Sequence, residues 1–292
     1  MNLTLGIHAS GLDRFNDCPR AAVADRYQHL LQQAGYQVKT PTRYVTPTVG
    51  SGIHAAAHVL NEDYIRSGLL PNTDLVRKAA EEGFKKFKEL YLKDLESQDV
   101  RFTAKFPDDS VIRNHIAQYT ALYAEIVLPT RKLEASEQFF KVDLKPSTET
   151  MPGFQYISTA DGYGEGIVYD LKTGDTITPA YAQIGTYIYL FKQTGFAVTG
   201  CQLDYVTKAQ PGKSGLLDKP HHITIKYNAE ACEKLAIYTT ARLINTLEDF
   251  IKTGDINVIP INPRSEACSP MMCKLYGTTS CTGWEKEQTV KS

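Results

Sequence analysis

Apolar residues recur at three- and four-residue steps through the first half of the chain and shift toward alternation in the second. The clearest helical stretch is 73–95, where Leu75, Val76, Ala79, Ala80, Phe84, Phe87 and Leu90 form one stripe. Helices are also predicted over 17–33, with Pro19 in the first turn, over 50–67, entered through Gly50-Ser51-Gly52, and over 109–128, ended at Pro129. From residue 133 the pattern changes. A strand is predicted over 137–144, then a hairpin of 156–160 and 166–172, and a helix over 179–194. Strands at 197–208 and 221–227 and a long helix over 229–252 follow. The tail from Pro260 reads as irregular and cysteine-rich. Strands joined through a crossover helix predict an α/β fold with a mixed central sheet flanked by helices. The expected organisation is a helical part over 1–130, an α/β core over 131–258 and a cysteine-rich tail over 259–292, together one compact domain.

Composition narrows the classes. With 292 residues, 42% hydrophobic and 22% charged, the chain can bury an ample core. Its formal net charge of −1 offers no global basic field, so any nucleic-acid binding must come from a local groove. No run approaches the roughly 20 apolar residues of a membrane span. The first ten residues lack a basic start and a long apolar run, so no secretory signal is expected, and a cytoplasmic location is. In that compartment the six cysteines are expected as metal ligands, reactive groups or core residues rather than disulfides.

The most informative stretch is Asp161 to Gly174. It places one carboxylate, eight further residues, and then Asp170-Leu171-Lys172 on a segment that reads as a strand ending in a turn. Alternation puts Asp170 and Lys172 on one face. Asp161 would return to that face through the turn offered by Gly162, Gly164 and Gly166. Two carboxylates and an ammonium at one point suit Mg²⁺ or Mn²⁺ and a water to be activated. An exposed hairpin of alternating charges would read similarly, so the rest of the chain must decide.

Gln183 and Tyr187 are four apart on the following helix and share a face. They either reach the site, where amide and hydroxyl can meet a phosphate or a base edge, or Tyr187 is a core aromatic beside Tyr181, Tyr189 and Phe191. His54, in an alanine-rich helix, reads as a hydrogen-bonded core residue or as a further metal ligand. Glu137, at the start of its predicted strand, reads as a solvated charge or as a carboxylate beside the metal, a role that Glu134 could also take.

The order of these motifs resembles the RecB-like nucleases of the PD-(D/E)XK superfamily. It runs Asp17-Cys18-Pro19-Arg20, Gly50-Ser51-Gly52-Ile53-His54, Glu137-Gln138-Phe139-Phe140, Asp161, Asp170-Leu171-Lys172-Thr173-Gly174 and Gln183 to Tyr187, across almost the whole chain. The resemblance implies a restriction-endonuclease-like sheet. It assigns the divalent metal to His54, Asp161 and Asp170, the attacking water to Lys172, and DNA contact to Gln183 and Tyr187, with Glu137 in the catalytic set. Ala160 stands where that motif's namesake proline would be.

Cys268, Cys273 and Cys281 follow a C-x4-C-x7-C spacing, and Cys18 lies near the opposite end. Four thiolates suit a [4Fe–4S] cluster or tetrahedral Zn²⁺. The one-plus-three arrangement resembles the iron–sulfur branch of the same family, which includes AddB-type helicase-nucleases and CRISPR-associated adaptation nucleases. That likeness implies a cluster tying the two ends of the domain together. The family's C-terminal spacing is tighter. Cys201 and Cys232 read as core thiols.

The expected function is therefore a Mg²⁺- or Mn²⁺-dependent DNA nuclease, acting on ends or single strands as an exonuclease. Tyrosines such as Tyr181, Tyr187 and Tyr189 would offer stacking faces for single-stranded bases. The rival readings are a DNA-end-binding component of a recombination complex and a nuclease directed at RNA. The chain contains no G-x-x-x-x-G-K-[ST] motif, so unwinding would fall to a partner such as a helicase, with a recombinase or annealing protein as further candidates.

Overall fold

The computed structural model describes residues 3–40, 43–97, 100–174, 178, 180–207, 221–265, 268–269 and 272–281. The strands β5 (Gly153–Gly164) and β6 (Ile167–Lys172) form a hairpin across Glu165 and Gly166, whose φ angles of 46° and 80° are both positive. Two such residues make the turn whose twist matches its flanking strands. The resulting ladder is only three pairs long, from Gly164↔Ile167 to Gly162↔Tyr169.

Beyond Gly162 the two strands part. β6 continues parallel to β7 (Gly200–Thr207), and β7 runs antiparallel to β8 (His221–Tyr227). β5 runs antiparallel to β4 (Ala135–Lys145), while its first residues pair parallel with β1 (Thr4–Ile7). One six-stranded mixed sheet results, in the order β1-β5-β6-β7-β8 with β4 beside β5. β1 and β6 therefore share one edge of β5 at its opposite ends, and residues 157–161 lie in the gap between them. A short parallel pair, β2 (Arg43–Tyr44) with β3 (Val100–Arg101), stands apart.

Alternation along the strands divides the core into two layers. Phe154, Tyr156, Val168, Leu203 and Tyr205 pack against α1 (Ala9–Asp17), α2 (Pro19–Arg26), α3 (Gln28–Gln33), α7 (Tyr181–Gln193) and α8 (Ala229–Thr253). Tyr169, Leu171 and Val206 face the other way, onto α4 (Thr46–Ser67), α5 (Thr73–Ser97) and α6 (Asp109–Leu122). α4 and α5 cross with their backbones in contact. A Cβ on Gly52 would stand 2.8 Å from the Gly83 carbonyl, so only glycine fits there. The fold is the expected α/β arrangement of a mixed sheet between helices. Among the described residues, no helix is long and apolar enough to cross a membrane.

Several boundaries differ from expectation for identifiable reasons. The helix expected over 17–33 starts only at Pro19, because Cys18 before it is extended (φ −144°, ψ 100°), and it is divided at Tyr27 (φ −124°, ψ 32°) into α2 and α3. α1 precedes it, and β1 is too short to show alternation in the sequence. The helix expected over 109–128 leaves α geometry at Tyr123, passes through a π turn (Tyr123–Val127), and closes in a 3₁₀ turn (Leu128–Thr130) that contains Pro129. α4 begins at Thr46, with Pro47 in its first turn. The first forty residues pack with α7 and α8 rather than with α4–α6. Cys201 and Cys232 are both buried, as expected of core thiols. The expected helix start at 179, the strand end at 208 and the tail over 282–292 lie outside the described residues.

The turn after α6 is bolted to the face of the sheet that α4–α6 cover by a buried ion pair. Arg131 and Asp204 are 1% and 0% exposed, and Asp204 Oδ2 accepts from Arg131 Nε at 2.9 Å and Nη2 at 2.6 Å. Asp204 Oδ1 accepts from Gln202 and Thr224 and faces His222 Nε2 at 2.9 Å. Burial alone would raise the Asp204 pKa, but Arg131 and the other donors hold it below its ordinary value. Its stabilisation is therefore complete at neutral pH and is lost as pH falls below the ordinary carboxylate value and through the depressed native one. Replacing Asp204 by Leu strands the Arg131 charge. The expected cost is about 3–5 kcal/mol, read by urea unfolding at pH 7, with a smaller difference from wild type in acid.

Candidate active site at the sheet fork

Asp161 stands where β5 and β6 separate. Its Oδ2 accepts the Leu171 N–H at 2.7 Å, which replaces a ladder partner that the parting strands no longer provide. Its Oδ1 faces His54 Nδ1 on α4 at 3.2 Å. Asp161 thus lies in β5, the strand beside Asp170, but it faces α4 rather than the face of Asp170 and Lys172 to which it was expected to return.

Glu137 lies opposite Asp161 in the register of β4 and β5, between Ser136↔Gly162 and Gln138↔Ala160, but is not itself laddered. Its φ is +48°, in the left-handed region. That conformation costs an L residue roughly 1–2 kcal/mol. With it, His54, Glu137 and Asp161 bring their ligand atoms within 4.8 Å of one another, close enough to hold one metal ion. Glu137 was expected to open its strand; β4 in fact begins at Ala135.

Asp170 and Lys172 point from β6 to the other face and meet α7. Lys172 Nζ is 2.8 Å from Asp170 Oδ2 and donates to Gln183 Oε1 at 2.8 Å. Gln183 Nε2 donates to Tyr187 Oη at 2.9 Å and reaches Asp170 Oδ1 at 3.4 Å. The ion pair is poorly directed, leaving Asp170 Oδ2 buried without a well-formed hydrogen bond. Tyr187 is 5% exposed and tied into this cluster. Tyr189 packs on Tyr156, and Tyr181 is 42% exposed against Tyr227. Of the three tyrosines expected as stacking faces, Tyr181 is the exposed one.

Three carboxylates crowd this point. Burial disfavours a charged imidazole, yet Asp161, Asp170 and Glu137 outweigh it and push His54 up to about 9. Burial would raise Asp161, but His54 and the Leu171 N–H bring it down to about 2. Glu137 is pushed up to about 7 by burial and then by the Asp161 charge. Burial, with Asp161, also raises Asp170. Lys172 stays above its ordinary value because Asp170 overcomes the effect of burial, so it carries its proton at neutral pH. Protons here neutralise charge that a bound cation could neutralise instead.

The site opens into a cleft lined by Ser10, Gly50, Ser51, Lys86, Thr173 and Gly174 as well as the residues above. One contributor was not visible in the sequence. Asp13 on α1 accepts the N–H groups of Ala182 and Gln183, both at 2.9 Å, and so caps α7 where Gln183 begins its turn. No motif marks it, because its partners are 169 and 170 residues away.

Cys18, Cys268, Cys273 and Cys281 line one small pocket together with Arg20. Arg20 is buried and donates to the Ile259 carbonyl and the Ser280 carbonyl, each at 2.9 Å. Burial raises the Cys273 thiol pKa. Among the described residues, the acid–imidazole trio alone gathers three ligand atoms within 4.8 Å.

No protein-family profile matches the chain, and no curated protein matches it. Among solved structures, a candidate exonuclease from Eubacterium rectale matches with TM-score 0.45 and 13% identity, over 85% of this chain and 81% of its own. The protein SSO0001 matches with TM-score 0.26 and 13% identity, over 74% of this chain and 85% of its own. Likenesses this distant carry no argument, and the site's own geometry must.

Replacing Asp13 by Ala removes both capping acceptors from α7. The expected loss is about 0.5–2 kcal/mol, measured by urea unfolding, and an unchanged midpoint would show that the cap is idle.

Proposed function

We propose that the chain is a divalent-metal-dependent DNA nuclease of the RecB-like kind, an exonuclease working on DNA ends or single strands in recombination, repair or phage- and CRISPR-type DNA processing. The observation that carries this reading is the convergence at one fork of His54, Glu137 and Asp161 with the Asp170–Lys172–Gln183 cluster. The donor set of one imidazole and hard carboxylate oxygens fits Mg²⁺ or Mn²⁺. His54, Asp161 and Glu137 would hold the ion, with Asp170 beside them. When bound, the ion withdraws charge from the scissile phosphate and from a water.

The remaining chemistry falls to the side chains. Lys172, held protonated by Asp170, is a fixed cation and donor; it orients the attacking water or bears charge growing on the phosphate rather than serving as a base. Gln183 fixes the ammonium and lines the cleft, where its amide can meet the strand. Tyr187 acts through Gln183. Water oxygen bonds to phosphorus and gives up its proton to solvent as the P–O bond on the far side breaks, and the leaving alkoxide takes a proton from solvent. The described cleft lining carries only two ammonium groups, Lys86 and Lys172. That supply suits one strand or an end better than a wrapped duplex. A helicase, recombinase or annealing protein would present the strand.

We further propose that Cys18, Cys268, Cys273 and Cys281 hold a [4Fe–4S] cluster, with tetrahedral Zn²⁺ as the alternative; in support, the four thiols line one pocket beside the buried Arg20. Such a group would act as a structural tie between the ends of the described chain.

The first test is digestion of end-labelled single- and double-stranded DNA and matched RNA with Mg²⁺, Mn²⁺ or EDTA. Metal-dependent DNA loss, reduced about 10²-fold or more in Lys172→Ala, is expected. Intact DNA after incubation with folded, metal-loaded wild type would move the reading to a DNA-end-binding component, and preferential loss of RNA to a ribonuclease. For the cysteine site, Cys273→Ala should lose brown absorbance and melt at a lower temperature. A colourless, iron-free wild type of equal stability would end the cluster proposal.

A further inference from the structure

The left-handed backbone of Glu137 needs a cause. An L residue with φ near +48° relaxes to extended geometry unless its surroundings over-determine it. If Glu137 were extended, the β4–β5 ladder would close over Asp161, since the pairs on either side, Ser136↔Gly162 and Gln138↔Ala160, are in register for it. The surroundings that hold the ladder open lie beneath Ser136.

Ser136 Oγ receives Asn61 Nδ2 at 3.1 Å, faces His58 Nδ1 at 3.0 Å, and reaches the Asp161 carbonyl at 3.5 Å. The hydroxyl thus lies against the backbone oxygen beside which the ladder pair is missing. Asn61 is buried and is itself held, with its Oδ1 accepting from Tyr123 Oη at 2.6 Å. Tyr123 Oη in turn accepts from Arg131 Nη1 at 3.1 Å, and Arg131 is locked to Asp204. Tyr123 occupies the first position of the π turn, a departure from helix geometry of the sort that concentrates near functional sites.

We propose that Ser136, Asn61 and Tyr123 are positioning residues whose hydrogen-bonded chain, anchored on the Arg131–Asp204 pair, holds Glu137 in its left-handed conformation and so delivers its carboxylate to His54 and Asp161. The consequence for metal binding rests on the function proposed above; the effect on the backbone does not. None of the three need touch metal or substrate. Tyr123 and Asn61 come from helices α6–π and α4, so the chain also ties the helical layer to the geometry of the site.

The test uses Ser136→Ala, Ser136→Thr and Tyr123→Phe in the full chain, with two readouts. By titration calorimetry with MnCl₂, Ser136→Ala should bind Mn²⁺ about 10–100-fold more weakly. Ser136→Thr, which keeps the hydroxyl, should remain close to wild type, and Tyr123→Phe should weaken binding in the same direction. In a crystal structure of metal-free Ser136→Ala, Glu137 should return to an extended φ and pair with Asp161. Unchanged Mn²⁺ affinity, or a Glu137 that keeps its positive φ without the hydroxyl, would overturn the proposal. Wild type that binds no Mn²⁺ would instead remove the metal-site reading, and the Glu137 backbone in Ser136→Ala would then decide this inference alone. Should Ser136→Ala fail to fold, Tyr123→Phe, which loses one oxygen, provides the same two readouts.

Discussion

The parting of β5 from β6 at Asp161 is the constraint on which the site depends. A sheet that splits leaves backbone donors without partners, and a buried N–H left so costs about as much as a lost hydrogen bond. Asp161 meets that need by accepting the Leu171 N–H. The same act buries a carboxylate, which requires compensation of its own, and His54 provides it from across the layer. The split also exposes both faces of β6 at one point. Asp170 and Lys172 emerge toward α7 while Asp161 emerges toward α4, so groups from opposite faces of the sheet reach one cleft.

Two groups of carboxylates in this protein differ in how completely their surroundings satisfy them. Asp204 is surrounded by donors from Arg131, Gln202 and Thr224, faces His222, and is held charged. It asks for nothing more. At the fork, Glu137 is pushed up to about 7, Asp170 is raised and has one oxygen poorly served, and the Glu137 backbone is strained. Incomplete satisfaction, strain and mutual repulsion come together at this one place, and the proposed cation site rests on that coincidence. The Arg131–Asp204 pair lies at the other end of the hydrogen-bonded chain that leads to Ser136, so the satisfied acid anchors the unsatisfied ones.

The helices α5 and α8 and the strands β6 and β8 were legible because each carries its own periodicity. The fork was not, because it follows from where two ladders stop, and neither β5 nor β6 contains a residue that announces it. Asp170 and Lys172 could be placed on one face from their spacing alone, and their meeting with Gln183 followed from the helix after the strand. Glu137 looked like the start of a strand because nothing in Ser136-Glu137-Gln138 signals a positive φ; the hydroxyl that bears on it takes its partners from 25 to 78 residues away. Asp13 was illegible for the same reason. Pro19 marked a helix start, but α1 before it was not expected, and nothing in the sequence marks the break at Tyr27 between α2 and α3.

The cysteine pocket stands in a frame that protein contacts already close. Besides the two Arg20 bonds, Asn262 Nδ2 donates to the Asp17 carbonyl, Ser265 pairs with the Asp17 carboxylate, Arg14 donates to Met272, and Lys39 binds the Lys274 and Tyr276 strands of backbone through its N–H and ammonium. These contacts hold the segment of Cys18 against the segments of Cys268, Cys273 and Cys281. The buried guanidinium is the complementary feature. Arg20 keeps its charge at the pocket wall through main-chain acceptors, the Ile259 and Ser280 carbonyls, so the two ends of the described chain are joined by a buried cation that no carboxylate among the described residues hydrogen-bonds.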